Sequence, residues 1–133
     1  MIAPAPVSLP RLWFGLFGAP AAWALQLIAN YAIVAHACYP ATVPLAHPVI
    51  ASAHGLAIAI SFACLLVAVS ALLAARGSVR QTSDVGRSTP ADTRDARPGR
   101  THFMAVAGLI VSVLFTFAVL MSSLPLFARP ACG

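Results

Sequence analysis

The chain has 133 residues, of which 60% are hydrophobic and only 8% charged, with a net charge of +5 and a mean hydropathy of +0.89. Its charges are eight arginines and three aspartates, with no lysine or glutamate. A soluble domain averages about 25% charged residues, so these side chains cannot cover a water-facing surface. So much apolar material also excludes a disordered chain, which leaves a single integral membrane domain over residues 1–133.

Three uncharged apolar stretches follow in chain order, at about 12–37, 49–75 and 103–126. Each exceeds the roughly 20 residues that a helix needs to cross a hydrocarbon core of about 30 Å. No stretch alternates in polarity as a membrane strand does, and only helices satisfy their own backbone in lipid. The expected fold is therefore an all-α bundle of three transmembrane helices. A cleavable leader is the rival reading of the first stretch, because Ala35-His36-Ala37 has the small-x-small form. That stretch is too long for a signal core of roughly 7–15 residues, and Gln26 and Asn30 suit a packed helix better.

Arginine placement orients the helices. The segment from Arg76 to Thr101 holds six arginines and all three aspartates, whereas Cys38 to Pro48 holds no charge. By the positive-inside rule the Arg-rich segment and the N-terminus are cytoplasmic, and the C-terminal tail is periplasmic despite Arg129. This points to a multi-pass protein of a bacterial inner membrane. The segment 76–101 is rich in Gly, Ser, Thr, Pro, Arg and Asp and has no apolar face. It is expected to be a long disordered cytoplasmic loop near anionic lipid. It has no aromatic side chain to stack on bases, so nucleic acid is not an expected partner.

Each stretch carries small or polar residues at helical spacing, the means by which membrane helices pack. The first strip is Ala19, Ala22, Gln26, Asn30, Ile33 and Ala37, beside Trp23. The second is read as Ser52, Ala59, Ala63, Ser70 and Ala74. The third is Ala105, Gly108, Ser112, Thr116, Val119 and Ser123, with Leu109, Val113, Leu114 and Phe117 on the opposite side. Gln26, Asn30, His54, Ser112 and Thr116 are the expected polar glue between helices. Pro20 is expected to distort the first turns of its helix.

The reactive side chains gather at the outer end: His36, Cys38, His47, His54 and Cys132. A disulfide between Cys38 and Cys132 is the simplest reading on an oxidising face. Imidazole and thiolate also suit haem iron or copper, which makes His36, His54 and Cys38 candidate ligands. No haem-attachment or Cys-x-x-Cys motif supports that, so no cofactor is expected. Cys64 reads as a buried small hydrophobe, and His102 as an interfacial anchor. No stretch contains a carboxylate, and Ser61 with His54 lacks an orienting acid, so an enzyme is not expected.

Leu12-Trp13, Gly18-Ala19-Pro20-Ala21-Ala22-Trp23, Asn30-Tyr31, Cys38-Tyr39-Pro40 and His54 together resemble a group of small, Ala-rich proteobacterial inner-membrane proteins. That group has a Gly-x-Pro-x-x-Trp start and a Cys at the outer end of its first helix. Some members are similar to proteins encoded beside haem–copper terminal oxidases. The resemblance covers about residues 12–56. The small-residue strips and polar glue point to a non-catalytic accessory subunit or assembly factor of a bacterial inner-membrane complex, with a respiratory oxidase as the candidate complex and other integral membrane subunits and the lipid bilayer as partners. A haem- or copper-handling protein and a small oligomeric transporter are the alternatives. The lack of charge within the stretches weighs against ion coupling.

Overall fold

A computed structural model describes residues 7–88, 96–129 and 132. Three helices, α1 (Leu9–Cys38), α2 (Ala53–Ser88) and α3 (Ala96–Ala128), make up nearly all of it, and each packs against both others. All three are long and apolar enough to cross a membrane, and the chain is a multi-pass membrane protein in architecture.

α1 opens where Pro10 presets a helical backbone, with the Arg11 and Leu12 N–H groups bonding the Ser8 carbonyl. It continues through Pro20, which has no N–H to offer the Leu16 carbonyl. Its far end is closed by the Tyr39 N–H on the Ala35 carbonyl. The following loop is tied back by Leu45 N–H to Cys38 O and Val49 N–H to Ala37 O.

Early residues of α1 meet late residues of α2. A Cβ placed on Gly15 would lie 3.3 Å from the Cα and Cβ of Ala75. The same glycine faces α3, where a Cβ on Gly108 would come 3.4 Å from the Gly15 carbonyl carbon. α1 and α2 are therefore antiparallel, α1 and α3 parallel. The core beyond this point is built of Ala19, Ala22, Cys64, Ala68, Ala71 and Val119, with Trp23 and Phe115 packed on it edge to face at 5.3 Å. In lipid there is no water to expel, so helices associate by close approach, and alanine allows it.

The first and third strips face the core, with Ala19, Gln26, Ser112 and Val119 fully buried. The second strip is corrected. Ser52, Ala59, Ala63 and Ser70 are exposed, and the buried face of α2 is Ala53, Ala57, Ser61, Cys64, Ala68, Ala71, Ala75 and Ser78. Alanines surround this helix, so small size does not mark one side.

The expected loop at 76–101 is also corrected. α2 continues to Ser88 and α3 starts at Ala96, and residues 89–95 lie outside the described residues. At 36 residues α2 is about 54 Å long, well beyond a hydrocarbon core. The extensions pack through polar groups: Ser78 is buried, and the Thr82 hydroxyl pairs with His102 Nδ1 at 3.0 Å. His102 is thus a helix-to-helix contact as well as an end residue.

The packing at Gly15 predicts a graded response. Gly108→Ala meets only ordinary contact distances and should leave stability nearly unchanged. Gly15→Ala should be mildly destabilising, and Gly15→Leu should lose about 1–3 kcal/mol or more from overpacking. Thermal unfolding in detergent measures the order; equal effects at the two glycines would refute the three-helix contact.

Candidate functional site in the bundle interior

The polar groups inside the bundle form a ladder along its axis. Nearest the Arg-rich end, the Ser112 hydroxyl donates to the Gly15 carbonyl at 2.6 Å. Deeper in, Thr116 Oγ1 lies 3.5 Å from the Ala68 carbonyl, at the limit of a hydrogen bond. Next, Gln26 Nε2 donates to Ser123 Oγ at 2.9 Å, and Ser123 in turn donates to the Val119 carbonyl at 2.7 Å. Last, Asn30 Nδ2 donates to Ser61 Oγ at 3.1 Å.

The rungs share one geometry. Ser112–Gly15 and Gln26–Ser123 both span 97 residues. They lie eleven residues apart on each helix, close to three turns at 3.6 residues per turn. One parallel register of α1 and α3 therefore makes both bonds, and Asn30–Ser61 adds the α1–α2 pairing.

The ladder also has a shortfall. Gln26 Oε1 and Asn30 Oδ1 are buried and accept no hydrogen bond among the described residues. An acceptor left so costs about 1–3 kcal/mol, which reduces the net gain from each amide. All four rungs use neutral amides, hydroxyls and carbonyls. They can hold helices in register but cannot carry a charge or release a proton at ordinary pH.

The other expected residues are dispersed. His54 is half-buried near the start of α2 and forms no interhelical hydrogen bond among the described residues, so it is not a rung. His36 and His47 are exposed. Cys38 is joined to Cys132, with Cα atoms 5.5 Å apart, in a small cluster with Ala37 and Ala53. The disulfide takes up the sulfur of Cys38, one of the three candidate ligands. Among the described residues no three His, Cys, Asp or Glu side chains converge as metal ligands. Cys64 is free and buried in the alanine core.

Two ladder residues are not evident from residue type. Gly15 enters as a carbonyl acceptor, and Ser61 is recognisable only by its spacing from Ala57 and Cys64 once the buried face of α2 is known. No protein-family model matches the chain, and no curated protein or solved structure matches it either.

A double-mutant cycle on Asn30→Ala and Ser61→Ala should give a coupling of about 0.6–1.7 kcal/mol, the range for hydrogen bonds between membrane helices. Strictly additive losses would contradict the bond. Alkylation of the denatured chain should add one group, at Cys64, without reductant and three after reduction. Cys132→Ser should lower stability by about 2–4 kcal/mol, because the bond closes a loop of 94 residues.

Proposed function

We propose that the protein is a non-catalytic accessory subunit or assembly factor of a bacterial inner-membrane complex, acting by helix packing. One observation carries this reading: the ladder's amides and hydroxyls donate their hydrogen bonds to acceptors inside the bundle, while the outward faces are apolar. Phe62, Phe117 and Tyr31 are 61%, 60% and 78% exposed. Ala59 and Ser70 also face outward on α2, where a small residue lets a further helix approach closely. The sequence resemblance makes a respiratory oxidase the complex of first choice.

The orientation in this proposal puts the N-terminus in the cytoplasm and the C-terminus in the periplasm. Two independent features support it. Arg11, Arg76, Arg80, Arg87 and Arg100 lie at one end of the bundle, and the Cys38–Cys132 disulfide lies at the other. Arginines favour the cytoplasmic side, and disulfides persist on the oxidising side.

Purification of the tagged chain from its native membrane in mild detergent should recover a second integral membrane subunit in fixed ratio. Recovery of this chain alone would refute the accessory role. A C-terminal alkaline phosphatase fusion should be active; an inactive fusion with a fluorescent C-terminal cytoplasmic reporter would reverse the orientation.

A further inference from the structure

The α1–α2 crossing leaves an apolar groove of about 470 Å³ on the outside of the bundle, lined by Trp13, Phe14, Phe17, Gly18, Leu25 and Val67. Its floor is the tight contact of the two helices, where a Cβ on Gly18 would come within 2.9 Å of the Ala71 Cβ. Trp13 and Phe17 stack at 5.2 Å and form one wall. From Trp13 to Leu25 the groove runs about 18 Å, at 1.5 Å per residue. An open apolar slot of this length suits an acyl chain lying along it.

One end of the groove is charged. Arg11, Phe14, Gly18 and Leu25 follow one another at spacings of three, four and seven residues, so they share a face of α1. The Arg11 guanidinium reaches across to α2 and rests against Gly77, occupying the place a Cβ there would take. That end of the bundle carries Arg11, Arg76, Arg80, Arg87 and Arg100, together with Asp84. An exposed cation thus shares a face of α1 with the lipid-facing slot.

We propose that this groove binds one anionic glycerophospholipid, with an acyl chain along the slot and its phosphate on Arg11. Guanidinium pairs well with a phosphate through its fork of N–H donors. The absence of a side chain at Gly77 is what lets the Arg11 guanidinium lie against α2.

Trp13 reports on the site directly. With Trp23→Phe it is the sole tryptophan, since the chain has two. The protein is placed in phosphatidylcholine vesicles containing a fixed minor fraction of either dibrominated phosphatidylglycerol or dibrominated phosphatidylcholine, and Trp13 quenching is compared. The expected result is a preference of about fivefold for the brominated phosphatidylglycerol, the effect of one arginine near an anionic headgroup. Arg11→Lys should keep much of it, and Arg11→Gln should abolish it with the circular dichroism spectrum and disulfide intact. Ala21→Leu, which fills the slot, should reduce quenching by both lipids. Native mass spectrometry of the unaltered chain gives a check free of the Trp23 substitution: one phosphatidylglycerol should survive conditions that strip phosphatidylcholine. Equal quenching by the two lipids, a preference that survives Arg11→Gln, or no quenching by either because a second copy covers the slot would each overturn the proposal.

Discussion

The approach of all three helices at Gly15 is the constraint on which the rest of the bundle depends. Without a side chain there, the α1 backbone comes against Ala75 of α2 and Gly108 of α3 at once, and its carbonyl is left open to the Ser112 hydroxyl. That bond fixes the phase of α1 against α3. Three turns later the same phase brings Gln26 onto Ser123. The alanine core between them follows, because helices held this close leave no room for larger side chains facing inward.

A bundle built in this way has little internal chemistry to offer. Lipid tails are as apolar as leucine, so the helices are held by contact and by polar groups that would be unsatisfied elsewhere. Gln26, Asn30, Ser112 and Ser123 meet that need with neutral partners, and the one free thiol, Cys64, lies sealed among alanines. What the molecule presents outward is shape and apolar surface, with a cluster of arginines at one end. Those features are the basis of the accessory role proposed above.

The legibility of the sequence varied from helix to helix for physical reasons. α1 and α3 each carry amides or hydroxyls that lipid would not tolerate, so Gln26, Ser112 and Thr116 mark the inner face. α2 carries alanine on every side, and its true inner markers, Ser61 and Ser78, are modest ones. The helical extensions past Arg76 were hidden for a different cause. Their cross-helix contact is polar, between Thr82 and His102, and a search for an apolar face does not detect it. His54 shows the reverse limit: a histidine near a helix start suggests a partner, but none of the hydrogen bonds between described helices uses it.

α1 and α2 meet at Gly15 and Ala75. The direct measurement is oxidative cross-linking of Gly15→Cys with Ala75→Cys in isolated membranes, read by mass spectrometry of non-reduced peptides. A Cβ at Gly15 lies 3.3 Å from that of Ala75, near the 3.5–4.5 Å span of a disulfide. The 15–75 bond should form rapidly, with no bond between cysteines at the outward positions Phe62 and Phe117. Failure of the first pair to cross-link, or equal cross-linking of the second, would contradict this contact.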